Sequence, residues 1–394
     1  MKASLIAPRL LIAAGVFCIG LASFGQDARR YDGRTLDEFR ELIQNLDYKS
    51  SELATVVPGL RAIMQDGDVP WFTRRQAALT LGRIGEPAKG AVGDLIKLLR
   101  APIDPVETSP PLWSLKALAL FGPLATEAAG DAIRLLRDVQ SPLILRLTCT
   151  ETLGRIGAES SEGLETLIEG AAGRLETAAS TDQLELRVAC LEALQLAAPS
   201  SAVPTLIAAC SDPAERVRHA AAATLGYLGA RAEPAAELLG SMVVYDDTPV
   251  VRETAARSLA KLGDSGVEIL QRLLENENRE VLVYALDAAG RTTNRRRALA
   301  PSLKRLLESE DPIVAVRTMN TWWLVTRDPA PILDQLVKLL ESDSREVRKV
   351  ASDTLMLMGS AMSGARGSLE RVAAQGKGEA QAAARRVLRV IPSD

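Results

Sequence analysis

Val217-Arg218-His219-Ala220-Ala221-Ala222-Ala223-Thr224-Leu225-Gly226-Tyr227-Leu228-Gly229 is the stretch that decides the fold, because the chain repeats it. Partial copies begin at Arg74, Arg146, Arg187, Arg252, Arg317 and Arg348, with Ser114 and Leu282 at the equivalent place in two weaker units. Successive anchors lie 30 to 41 residues apart by difference of these numbers. Self-similarity at such a period marks a stacked array of small units, which presents a long surface in place of one central pocket. With Arg218 as slot zero, Val217, Ala221, Leu225 and Leu228 fall at slots minus one, three, seven and ten. That spacing is one buried stripe of a helix. Alanine at slot three lets neighbouring helices approach closely.

Each unit opens with a Pro-led apolar segment, as at Val203-Pro204-Thr205-Leu206-Ile207 or Pro331-Ile332-Leu333. Proline suits a first helical turn, where its missing N–H has no partner to lose. An Asp-rich turn follows, at Asp212-Pro213, Asp246-Asp247, Asp311-Pro312 and Ser342-Asp343, and such an aspartate can cap the helix after it. The helix with the Val-Arg signature then stops at glycine. These combined elements resemble HEAT repeats, including the short variety of phycobilisome-lyase-like and other bacterial proteins. The resemblance covers roughly residues 55 to 390. Ser114 and Leu282 depart from it in lacking the arginine, and Gln195 in replacing a glycine. It implies an all-α fold, a right-handed α-solenoid of helix-turn-helix repeats whose second helices line the concave side.

Composition agrees with this reading. The chain has 394 residues, 47% of them hydrophobic and only 4% aromatic, as many small helix–helix contacts require. Hairpin and alternation signals for sheet are absent. A net charge of −3 argues against nucleic acid as the target, since phosphate binding needs a clustered basic surface.

Four segments are expected: a signal peptide at 1–25, a linker and N-terminal capping helix at 26–54, the HEAT-like array at 55–359, and a degenerate C-terminal capping repeat at 360–394. Lys2 and Arg9 precede the apolar run Leu10 to Leu21, and small residues follow at Ala22, Ser23 and Gly25. This is the order of a secretory signal. It predicts an exported protein, periplasmic or secreted. A chain anchored in the membrane by an uncleaved N-terminal segment is the alternative. Thr35 is the expected cap of a helix with Leu36, Phe39, Ile43 and Leu46 on its apolar face. The Pro-rich stretch 101–111 and the polar residues around Ser180 are read as surface insertions that lengthen two intervals.

The arginines Arg74, Arg146, Arg187, Arg218, Arg252, Arg317 and Arg348 recur in step with the packing residues. They are therefore read as a structural ladder reaching the turn of a neighbouring repeat, in preference to a basic groove. Cys149, Cys190 and Cys210 are read as small packing residues; the first two occupy slot three. Catalytic readings find little support. The single histidine, His219, holds an outward slot that carries Arg75, Glu253 and Lys349 elsewhere. The HEAT-type deoxyhypusine hydroxylases bind di-iron through repeated His-Glu pairs, but here His219 is followed by Ala220. No metal or other cofactor is expected.

The expected function is a non-catalytic protein-binding scaffold in the cell envelope, holding a protein or peptide along its concave helices. The competing reading is a lyase-like enzyme or accessory factor acting on a tetrapyrrole or other cofactor. The expected contact surface is slot five, held by Glu151, Glu192, Ala223, Arg257, Asp287 and Asp353. Trp322 at the same slot, next to Trp323, is read as an exposed partner anchor with Asp287 and Asp353 on its flanks, the alternative being that it folds down over a local gap. Trp71, Phe72 and Trp113, beside the Pro-rich loop, are read as satellite core beneath that loop, with a second partner-binding patch as the alternative.

Overall fold

A computed structural model describes residues 29–389 apart from 104, 294, 295 and 377. The expected signal segment, 1–25, lies outside the described residues. Among these, regular structure is helical, save one isolated bridge between Tyr31 and Arg34. Helix α1 (Leu36–Gln44) comes first. Pairs follow: α2 (Leu53–Gln65) with α3 (Trp71–Ile84), α4 (Val92–Leu98) with α5 (Pro110–Phe121), and α6 (Ala129–Arg137) with α7 (Leu143–Ile156). Next are α8 (Ser161–Ala171) with α9 (Ser180–Ala197), α10 (Val203–Ala209) with α11 (Glu215–Leu228), and α12 (Ala236–Tyr245) with α13 (Pro249–Leu259). The last are α14 (Asp264–Leu273) with α15 (Arg279–Arg291), α16 (Ala300–Leu306) with α17 (Pro312–Thr326), α18 (Leu333–Leu339) with α19 (Arg345–Met358), and α20 (Arg366–Gln375) with α21 (Gly378–Leu388).

Each second helix packs against the second helices before and after it, and more closely than first helices pack on one another. The chain is an α-solenoid. The tighter row of second helices curls the array toward itself, so these helices form the inner face. A single apolar core runs from Tyr31 to Val387. Slot three is filled by Ala77, Ala221, Ala255 and Ala351, all fully buried, and slot seven by Leu81, Leu225, Leu259 and Leu355, likewise buried. Truncating such a leucine costs about 2–5 kcal/mol.

Two rows of glycine set the spacing. At slot eleven Gly85, Gly157, Gly229 and Gly359 end their helices at positive φ, and Gly263, also at positive φ, precedes the next helix; a Cβ is penalised there. At slot eight, a Cβ on Gly226 would come within 3.0 Å of Ser258 Cα, and one on Gly154 within 2.7 Å of Ala193 O. Only glycine allows that approach.

The slot-eleven row also corrects the register of the second repeat. Gly122 is its positive-φ terminus, which places slot zero at Pro111 instead of Ser114. Accordingly a Cβ on Gly82 would meet Ala117, the slot-six residue in the corrected count. Pro110 and Pro111 form the first turn of α5 and so lie outside the loop. The polar residues from Ser180 are likewise no loop; they are an extra N-terminal stretch of α9, an 18-residue helix.

The N-terminal segment is docked onto the first turn. Tyr31 is buried, its hydroxyl donates to Asp66 Oδ2 at 2.7 Å, and Arg29 pairs with Asp66 and Asp68. Thr35 and Glu38 form a reciprocal capping box on α1. The turn aspartates mostly do other work than capping. Asp212 and Asp246 accept from the amides two residues on, Ala214 and Thr248, and so shape the turn. Asp311 is the one among the predicted caps that accepts from the first helical amides, of Ile313 and Val314.

Candidate functional site

The arginine row lies between repeats, and its partners are inter-helix turns, the ends of the first helices and the first turn of the next second helix. Arg218 donates to Asp246 and Asp247 of the next turn (2.8 and 2.6 Å) and to the carbonyls of Asp212 and Pro213 in its own. Arg187 reaches Asp212, Arg252 reaches Asp246 O and Glu280, Arg317 reaches Glu346, and Arg348 reaches Ser342 O, Asp343 O and Glu379. Arg74 and Arg146 find no carboxylate. Arg74 donates to Met64 O and lies over the Trp113 ring, while Arg146, 2% exposed, donates to Leu136 O and Glu176 O. Burial accordingly lowers the pKa of both, whereas the hydrogen bonds that Arg218 donates to Asp246 raise its own. The Asp246 carboxyl is opposed by burial, yet Arg218 and the Thr248 amide hold it below the usual carboxylate range.

A second row escaped the sequence reading. The Thr224 hydroxyl lies between Ala220 O of its own helix (2.7 Å) and Leu191 O of α9 (3.0 Å). Thr152 stands in the same way to Leu115 O, and Ser258 to Ala222 O. The signal was Thr or Ser recurring at slot six. In the repeat of α17 that slot is Trp323, and Thr321 reaches Leu286 O instead.

The expected anchors do not stay together. Trp322 and Trp323 are 8% and 7% exposed, so neither is the exposed anchor that an outward slot implied. The Trp322 Nε1 donates to Asp328 O at 2.9 Å, and Arg327 lies 5.2 Å from the Trp323 ring centre. Helix α17 ends on Arg327 in the left-handed region, and the chain after it folds back over both indoles. Burying two large rings outweighs the polar preference of the sister positions. Trp113 is also core, at 2% exposure. Trp71 and Phe72 alone remain outside, 42% and 51% exposed and packed edge to face at 6.3 Å. Asp287 pairs with Arg257 and Arg291, and Asp353 is exposed. Cys149, Cys190 and Cys210 are buried free thiols, and burial pushes Cys190 and Cys210 up to about 12.

The inner face opens most clearly across α7, α9, α11 and α13. Two adjoining clefts, of ≈ 260 and ≈ 590 Å³, share Val188, Glu192, Gln195 and Arg216. Ala220, Ala223 and Val250 line one end and Leu147 and Leu196 the other. The slot-five residues Glu151, Glu192 and Ala223 lie along this opening, so part of the expected surface is a groove. Its widest join coincides with Gln195, the departure from slot-eight glycine. Here α9 and α11 touch less extensively than α7 and α9, and Gln195 Nε2 spans to Thr224 Oγ1 at 3.1 Å. His219 stands half-exposed on the wall. Among the described residues no group of three or more His, Cys, Asp or Glu is placed to hold a metal.

Comparison with known proteins matches this geometry. HEAT repeats are matched over residues 171–260 and 236–319, the stretch that holds most of the groove. No curated protein matches the chain. Among solved structures, Kap121p bound to Nup53p is similar at 12% identity and TM-score 0.53, over 90% of this chain and 43% of Kap121p. This chain thus spans less than half of that protein. An engineered protein is 21% identical over 87% of this chain and all of its own, at TM-score 0.38. The CpcE and CpcF complex of phycocyanin lyase from Nostoc sp. PCC7120 is 22% identical over 67% of this chain and 94% of its own, at TM-score 0.27. The repeat phrase, the paired helices and the family match agree: this chain carries HEAT repeats over residues 171–319, within a longer row of paired helices.

Proposed function

We propose that the chain is a non-catalytic scaffold that holds a protein or peptide partner along its second-helix face. The observation that carries this reading is the groove across α7 to α13, which crosses four successive repeats and is lined by outward slots that packing does not need. Kap121p, a solenoid of similar fold, is bound to Nup53p in its solved structure, which supports the reading at the level of fold alone. Work in the cell envelope is part of the same proposal. It rests on the charged, apolar, small-residue order of residues 1–25.

Affinity capture from envelope extract, with mass spectrometry of what is retained, tests the scaffold. A partner held by the native chain should be lost when Ala223→Trp fills the groove. Retention that survives both this change and substitutions elsewhere on the second-helix face would refute the proposal, as would a stoichiometric metal or chromophore in the purified protein. Sequencing the mature N-terminus tests export, with a start near Gln26 expected. An intact Met1 on a soluble cytoplasmic protein would overturn it.

A further inference from the structure

The groove is not electrically neutral, and its charges are unequally satisfied. Glu185 is chelated by Arg216 at 2.5 and 2.9 Å, and this hydrogen-bonded pair depresses the Glu185 carboxyl. Glu151 is paired with Arg155 along its own helix at 3.0 Å. Glu192, at the junction of the two clefts, is exposed and makes no hydrogen bond or ion pair. The cation whose field reaches it, Arg216, is already held by Glu185. Glu215, also on the wall, takes a 3.5 Å contact from the Thr248 hydroxyl and lies in the field of Arg218, which Asp246 and Asp247 already hold. Two carboxylates thus face the opening with no cation paired to them, the nearby arginines being held by other carboxylates, beside an apolar floor of Val188, Ala220 and Ala223.

Apolar side chains continue that floor outward. Leu196 is 53% exposed on α9 and Val250 49% exposed on α13, both on the walls of the clefts. Exposed apolar area beside unneutralised charge on one concave strip is the complement of a segment with the opposite charge and an apolar neighbour. Adjacent helices lie roughly 10 Å apart, and side chains on one face of an extended strand recur at roughly 6.6 Å. An extended segment crossing α9 and α11 can therefore seat one side chain in each cleft.

Resting on the scaffold reading above, we propose that this groove takes an extended, basic segment of a partner protein. A Lys or Arg side chain meets Glu192 and Glu215, and an apolar side chain two or four residues away lies on the floor between α9 and α11. Gln195 is what makes room. Where the four tightest second-helix joins have glycine at slot eight, at Gly82, Gly154, Gly226 and Gly290, its longer side chain props α9 from α11 and opens the cleft that the apolar group enters.

Fluorescence anisotropy with three labelled peptides tests this directly: one alternating Lys and Leu with Ser spacers, one with Glu for each Lys, and one with Ser for each Leu. The first should bind about tenfold or more tightly than either of the others, and its affinity should fall as salt is raised. Glu192→Lys should reverse the preference between Lys and Glu peptides, and Glu192→Gln should weaken the first several-fold. Glu192 is exposed, and an unchanged helical melt confirms folding of both variants. Equal binding of Lys and Glu peptides, or indifference to Glu192→Lys, overturns the inference. A partner lost on Ala223→Trp but kept by Glu192→Lys would leave the scaffold standing and overturn only its basic specificity. Loss with neither change would overturn this inference, and the scaffold with it if substitutions elsewhere on the second-helix face also leave the partner bound.

Discussion

Helices α9 and α11 carry the same repeat and end differently. Helix α11 has glycine at both critical slots, Gly226 against α13 and Gly229 at its left-handed terminus. Helix α9 has Gln195 and Ala198 there, and Ala198 is forced to φ 47°. On one side of α11 the neighbour closes to van der Waals contact; on the other a cleft opens. Departures from a repeat consensus therefore deserve as close a reading as the consensus, because a solenoid's only means of making a site is to stop being regular at one place.

The comparison is broken most forcibly at the tight join. Gly226→Leu places a Cβ against the Ser258 backbone and should cost about 3 kcal/mol, read as a fall in the thermal midpoint. If the midpoint holds, close approach is not what glycine supplies there.

The rung that spans the same join comes next. Arg218→Ala leaves Asp246, whose side chain is 5% exposed, buried without its cation. It should cost about 2 kcal/mol at neutral pH. The Asp246 carboxyl lies below its ordinary range when folded, so its contribution is present above that range and is lost as pH falls through the folded value. Stability curves of native and variant chains should therefore converge in acid. Parallel curves would show that Asp246 is not the coupled group.

At the open join, Gln195→Gly with Ala198→Gly gives α9 the ending of α11. Glycine inside the helix costs about 1 kcal/mol, and relief of the left-handed alanine returns about 1 kcal/mol. The melt should then move little, while affinity for the Lys-Leu peptide drops several-fold. Retained affinity would separate the cleft from Gln195. The smallest change, Ala198→Gly alone, should raise stability by about 1 kcal/mol with peptide binding untouched.

Much of this was legible in the sequence because it is local. The period, the paired helices, the buried stripe at slots three and seven, and the terminal glycines each follow from residues within one repeat, whose own helix geometry dictates which side is covered. The arginine row was legible for the same reason, since a charge recurring beside packing residues must find partners at a recurring place. The slot-six hydroxyls, though equally periodic, were passed over because a Thr that can bond its own helix gives no sign of reaching the next one.

What the tertiary structure alone decided depends on distances between repeats. Trp322 and Trp323 sit at slots that are outward or polar elsewhere, yet the chain after α17 returns over them. Slot numbering carries no information about such a return. Proline at Pro111 hid the register of the second repeat until its helix end was placed. The same holds for the groove. The sequence shows Gln195 as an irregular residue, but only the packing of α9 against α11 turns that irregularity into an opening, because the width of a cleft is a difference between two backbones and belongs to neither.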